Sequence, residues 1–307
     1  MPARPLTLLA ALTALSPAAF ADTAAVERTF LERSAISAAD EKCGLFSEGE
    51  RLALKSGLYQ AEGELLRAKI DPGEIEQMSR DVRVHARQMS CDHPDVSAVA
   101  ATVRSSYRQF SRTGYLEYPS GRSTWGASRS PHDQWAVSQT DKASSYVFGL
   151  HQEEKSPGVL KLAVAVPYDY KPPSSVKLFL RDPDKLPEPW LGTSLGGPPT
   201  ATLAPPPKSV SRIEWAGEMK EEENTVHDWF YICTFSPAAI QHIEALDPRE
   251  AVSIEVTPSP LAKDQKVVRV VFEVGDLRAA HAFAMIPQPT PPAATAASAT
   301  APAEPKH

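Results

Sequence analysis

The chain has 307 residues and a formal net charge of −6 at pH 7, with 42% hydrophobic and 23% charged residues. That is enough apolar side chain for a folded core of about two domains. It excludes a wholly unfolded chain, and the acidic balance argues against a general nucleic-acid binder. After the N-terminus no run reaches the ~18 apolar residues of a membrane-spanning helix.

Residues 1–21 read as a secretory signal. Arg4 supplies the positive end, Leu6 to Leu15 the apolar stretch, and Ala19-Phe20-Ala21 the small-x-small cleavage pattern. Cleavage is expected before Asp22, which places the mature chain in the periplasm or outside the cell.

Residues 22–115 are expected to form a helical domain. A short helix is predicted around 24–36. Ser47 and Glu50 then form a capping box ahead of a helix over 48–69, with Leu52, Tyr59 and Leu66 on one stripe. Asp71-Pro72 starts a helix over 72–90, and Asp92 with Pro94 starts another that stops at Gly114. Connections this short predict antiparallel neighbours, as in a bundle.

Residues 116–133 read as a linker. From 134 to 286 the period changes to that of strands, predicted at 134–139, 145–150, 159–166, 175–181, 210–216, 228–235, 251–257 and 267–274. Ser236-Pro237 opens a helix that ends at Asp247-Pro248, and a last helix is predicted at 276–285. The fold class expected is α+β, an N-terminal antiparallel bundle followed by a β-sandwich-like domain or half-open barrel with two short helices. Residues 182–208 form a Pro-rich loop and 287–307 a Pro/Ala tail expected to be disordered.

Three cysteines are present. Cys43 lies just ahead of the helix over 48–69 and Cys91 at the end of the next. In an antiparallel hairpin these two ends meet, which suits the ~4.4–6.8 Å Cα separation of a disulfide. An oxidising compartment favours the bond. Cys233 falls on the Trp229, Tyr231, Phe235 face of a strand and reads as a small buried apolar residue.

Catalytic and metal motifs give nothing to assign, so no catalytic residue, metal ligand or cofactor is named. His151 lies in H-x-x-E spacing with Glu154 but reads as a solvated turn. His85, His227 and His281 read as structural or surface residues. Ser174-Ser175-Val176-Lys177 matches S-x-x-K, yet the alternation after it is that of a strand, and its partner motifs are missing. Glu48, Glu50, Glu62 and Glu64 alternate with Arg51, Lys55 and Arg67 on what reads as a solvated face rather than a glycosidase pair. One charged pattern stands out. Arg80, Arg83 and Arg87 share one side of their helix, and Arg104, Arg108 and Arg112 recur every four on the next. Were the two helices neighbours, these stripes would make a surface for an anionic partner, since guanidinium forks suit phosphate and carboxylate.

Residues from about 160 to 285 resemble the invasion-associated locus B family of periplasmic β-domain proteins. The resemblance is carried by Leu162-Ala163-Val164-Ala165-Val166-Pro167, Val176 to Asp182, Cys233 and the helix with Ala239, Ile240 and Leu246. It continues through Val252 to Val256 and the ending Val271-Phe272-Glu273-Val274-Gly275-Asp276-Leu277. It implies a non-enzymatic envelope protein and assigns no functional residue. The sequence therefore favours an exported, non-catalytic binding module for an envelope protein, lipid or cell-wall component. A cell-wall or ester hydrolase and a carrier of a small apolar ligand are the alternatives.

Overall fold

The computed structural model describes residues 23–153, 158–168, 171–191, 211–223 and 228–287. The expected signal sequence, residues 192–208 of the Pro-rich loop, His227 and the tail beyond Pro287 lie outside the described residues.

Four helices come first: α1 (Thr23–Cys43), α2 (Glu48–Arg67), α3 (Pro72–Gln88) and α4 (Pro94–Phe110). Their starts follow local chemistry. Ser47 and Glu50 make the reciprocal capping box. Asp71 accepts from Gly73 N and Glu74 N, with Pro72 pre-set at the first helical position. α1 runs well past residue 36, because Ser37 to Lys42 contains no breaker. It ends only where Gly44 takes φ +63°.

The disulfide joins Cys43 to Cys91 with Cα atoms 5.6 Å apart. The helices it joins are not the expected hairpin. Cys43 is the last residue of α1, and α3 packs chiefly on α1. Ile75 near the start of α3 shares a core with Val26 and Phe30 near the start of α1. At the other end Lys42 Nζ donates to Arg87 O and Met89 O at 3.0 and 2.7 Å. α1 and α3 therefore run parallel, with α2 returning between them.

Strands follow: β1 (Tyr115–Pro119), β2 (Thr124–Ser128), β3 (Trp135–Asp141), β4 (Tyr146–Gln152), β5 (Leu160–Pro167), β6 (Ser175–Arg181), β7 (Ser211–Trp215), β8 (Glu218–Glu223) and β9 (Trp229–Thr234). The order ends with α5 (Pro237–Glu244), β10 (Ala251–Thr257), β11 (Val268–Glu273) and α6 (Leu277–Ala284). The stretch 116–133 is thus not a linker. It is mostly the hairpin β1–β2, whose Tyr118, Trp125 and Ala127 are buried in the main core.

Two antiparallel sheets result, one in the order β1-β2-β3-β4-β5-β9-β8 and the other β11-β10-β6-β7. Strand alternation sends Leu162, Val164 and Val166 of the first against Val176, Leu178, Leu180, Val252 and Ile254 of the second. Phe148 and Phe272 meet across this interior with ring centroids 5.1 Å apart. α6 closes one end, placing Leu277, Ala280 and Phe283 in the same core. Leu52, Tyr59, Tyr107 and Phe110 of α2 and α4 pack onto it, so the helices and the sandwich share one hydrophobic body.

The larger sheet also coils. A register shift between Trp135 and Val137 marks a bulge in β3. Opposite it, Gly149 has φ +155°, where an added Cβ would overlap Val137 O. Bulges increase twist, and here the start of β3 and the end of β4 meet the far end of the edge strand β8. Gln134 Nε2 donates to Glu223 O, and His151 Nε2 lies 3.1 Å from Glu222 Oε2. The outward face closes on a second small core of Ala163, Ala165 and Ile232, flanked by Trp135 and Phe230. His151 is consequently buried beside Trp135 rather than solvated.

Candidate functional site

Cys233 is free and fully buried. Burial pushes its thiol up to about 12, so it stays protonated and inert at neutral pH.

The arginines singled out from spacing divide into two sets. α3 packs on α1 and α4 on α2 and α1, so the two stripes belong to different faces. On α3, Arg80 pairs with Glu76, and Arg83 and Arg87 both reach Glu41 of α1, at 2.6 and 2.7 Å. Their charge is met within the protein. On α4, Arg104 donates to Leu45 O at 2.7 Å and lies over the Phe46 ring. Neither contact neutralises it. Arg108, one turn on, and Arg112, in the turn just after the helix, are exposed. Among the described residues none of these three forms an ion pair. Arg108 lies in the last turn of α4, where the helix macrodipole favours its charge.

A second surface opens where β5 ends and β9 begins. A groove of about 440 Å³ is lined by Ser145, Pro167, Tyr168, Asp228, Trp229 and Phe230, a volume within the ~300–1,000 Å³ of small-ligand sites. Tyr168 N donates to Trp229 O at 3.2 Å, which fixes the two strand ends together. The Tyr168 ring stacks on Tyr231 at 5.2 Å and stands 6.5 Å from Trp229 at 50°. Trp229 is 45% exposed. Sequence spacing did not single out this groove. The local signal was the run Asp228-Trp229-Phe230-Tyr231, whose significance depends on Tyr168 from a distant strand.

Carboxylates inside the molecule are held for structure. Glu273 Oε2 accepts from Ser120 Oγ, Arg122 N, Ser123 N and Ser123 Oγ at 2.7–3.1 Å. These donors outweigh burial and keep its pKa low. Glu250 takes both forks of Arg181 at 2.8 and 3.0 Å, and Arg181 also holds the Leu186 and Pro187 carbonyls. Arg67 does not lie on a solvated face as expected. It turns inward to Asp276. Burial pushes Asp276 up to about 6 against the pull of Arg67, and Glu64 and Glu62 add to the rise.

His242 pairs with Glu214 and His281 with Glu244, at 2.8 and 2.7 Å, so each ties a helix to a neighbouring element. Ser175 to Lys177 of the S-x-x-K match lie on β6. Among the described residues no group of three or more His, Cys, Asp or Glu could hold a metal ion, and no helix is long and apolar enough to cross a membrane. No family model matches the chain, and neither does a curated protein or a solved structure.

Proposed function

We propose that the protein is an exported, non-catalytic binding module of the cell envelope, held against anionic lipid headgroups by Arg104, Arg108 and Arg112. The observation that carries this reading is the contrast between the two arginine stripes. Those of α3 are neutralised by Glu76 and Glu41, whereas those of α4 present three cationic groups without a carboxylate partner among the described residues. On a chain of net charge −6, a local group of cationic side chains gives an anionic surface a preferred side to approach. The Cys43–Cys91 disulfide supports maturation in an oxidising compartment. The resemblance to invasion-associated locus B proteins accords with a non-enzymatic envelope role.

Each basic residue near an anionic leaflet contributes about 1 kcal/mol. Replacing all three by Gln should therefore weaken binding roughly 100-fold. The test is co-sedimentation with phosphatidylglycerol vesicles at low salt, with phosphatidylcholine vesicles as control. Arg80, Arg83 and Arg87 changed to Gln should leave binding unaltered. Equal binding by the Arg104, Arg108, Arg112 triple variant would sink the reading.

A further inference from the structure

We propose that a second copy of the chain docks on the free edge of β7, antiparallel about a two-fold axis at Ile213, and so joins the smaller sheets of two molecules into one.

The fold leaves β7 open. The two sheets end at β1, β8, β11 and β7. β8 carries four glutamates and one lysine, so a like strand laid beside it is repelled. β1 ends at Pro119, whose carbonyl already accepts from Asp276 N at 2.9 Å. β11 is bridged to β3, because Gln139 Oε1 accepts from Glu273 N and Gln139 Nε2 donates to Glu273 O. The centre of β7 shows none of these devices.

The phase of the β7 ladder sets which groups face out. Ala216 N donates to Val176 O at 3.0 Å, so residues 216, 214 and 212 bond inward to β6. The N–H and C=O of Ile213 and Trp215 point the other way and have no partner among the described residues. Their side chains lie on the outer face, opposite Phe179 and Lys177 of β6, and are 42% and 58% exposed. Lys177 Nζ stands 4.7 Å from the centre of the Trp215 ring and holds the indole in place. Unpaired amides beside exposed apolar side chains are a template for strand addition.

The strand is its own complement. Laid antiparallel about Ile213, the segment Ser211-Arg212-Ile213-Glu214-Trp215 sets Arg212 of each copy opposite Glu214 of the other. Ile213 meets its own counterpart, and the two exchange a pair of hydrogen bonds across the axis. Arg212 and Glu214 already have partners at home, Asp182 at 3.2 Å and His242 at 2.8 Å. The register therefore supplies compatible charge rather than new ion pairs. Moving the axis to Glu214 would set two glutamates face to face, which disfavours that register. A ladder of five residues is small beside the ~1,200–2,000 Å² of stable interfaces, so the dimer forms only at high concentration.

The test is sedimentation of the full chain from ~10 μM to ~1 mM, the span of weak association. The weight-average mass should rise toward twice that of the monomer and no further, as a closed two-fold requires. Ile213→Pro removes the outward N–H, a change that sheet edges accept, and should stay monomeric with the same melting temperature. Ile213→Cys reads the register and does not depend on the proline variant folding. Hydrogen-bonded antiparallel pairs hold their Cα atoms ~5.5 Å apart, within reach of a disulfide. The native cysteines do not compete, since Cys43 and Cys91 are bonded and Cys233 is buried. Ile213→Cys should link two chains at least about tenfold faster than Leu261→Cys, which is 76% exposed but outside the interface. A monomer at every concentration, which would leave the edge to another occupant, overturns the proposal. So does a dimer that survives Ile213→Pro, a mass that climbs past two copies, or equal linking rates for the two cysteine variants.

Discussion

Arg67 meets both carboxylate oxygens of Asp276, Nη1 to Oδ1 at 2.7 Å and Nη2 to Oδ2 at 2.8 Å, and so binds α2 to the start of α6. The approach is possible because residue 63 is glycine; a Cβ there would overlap Asp276 Oδ1. Nearby, the hydroxyls of Ser56 and Tyr118 lie 2.8 Å apart, and Ser56 Oγ donates to Ala279 O at 2.9 Å. Helices and sandwich are joined by a satisfied polar seam as well as by apolar packing. Removing one partner of a buried ion pair typically costs about 3–5 kcal/mol. Arg67→Ala should fall in that range by urea denaturation, and Gly63→Ala should also destabilise.

The same pair predicts a pH dependence. Asp276 has its folded pKa raised from 3.8 to about 6, so between these values the folded state binds the extra proton. Its contribution to stability is complete below about pH 3.8 and is lost as pH rises through 6. The slope within that window approaches about 1.4 kcal/mol per pH unit for one proton. Asp276→Asn cannot titrate. Its unfolding free energy, measured from pH 4 to pH 7, should lack this contribution, and an unchanged profile would show that another group is responsible.

Reduction of the disulfide should destabilise the fold without unlocking a reactive thiol. The bond closes a sequence separation of 48 residues, worth about 4 kcal/mol on the chain-entropy account. Cys43→Ser with Cys91→Ser should lower the urea midpoint accordingly. Non-reducing peptide mapping should recover the Cys43 and Cys91 peptides as one species. Cys233 should react with thiol reagents only at the rate of global unfolding.

Gly149 allows the larger sheet to coil. An added Cβ would overlap the Val137 carbonyl, a backbone atom that cannot step aside, and the φ of +155° suits glycine. Gly149→Ala is therefore expected to cost at least about 2 kcal/mol, by overpacking and by loss of the closed outer face. Gly114→Ala meets nothing within 4 Å and should shift the melting temperature little. Similar shifts for the two would contradict this account of the coil.

Arg129 gathers the ends of several elements. It donates to the carbonyls of Ser111, Thr113, Ile286 and Pro287 at 2.7–3.1 Å, and its guanidinium lies over the Phe283 ring. A lysine has one ammonium and cannot span these four acceptors. Arg129→Lys should speed amide exchange over residues 277–287 while leaving β10 and β11 protected.

The helix starts, eight of the strands, both short helices and the bonded cysteines could be read along the chain. Each depends on local chemistry such as the Ser47 capping box, Pro72 after Asp71, or the alternation from Leu160 to Val166. β8 could not be read this way. Its sequence Glu-Met-Lys-Glu-Glu-Glu has no apolar alternation, and it is a strand because it pairs with β9 at a sheet edge, where charge is tolerated. β1 and β2 are short, with no long apolar run, and they are strands because the core beneath them takes Leu116, Tyr118, Trp125 and Ala127.

The sequence by itself determined the α+β order of elements, because caps and periodicity act between near neighbours; it named Cys43 and Cys91 as partners, but from an α2–α3 hairpin that the packing of α3 on α1 replaces. Only the tertiary structure decided that α3 runs parallel to α1, that Arg67 faces Asp276, that the α4 arginines are left without carboxylates while those of α3 are not, and that Tyr168 stands beside Trp229. Each of these depends on which surfaces pack together, and burial energy over a whole interface selects that, where a short stretch of residues leaves several partners equally acceptable.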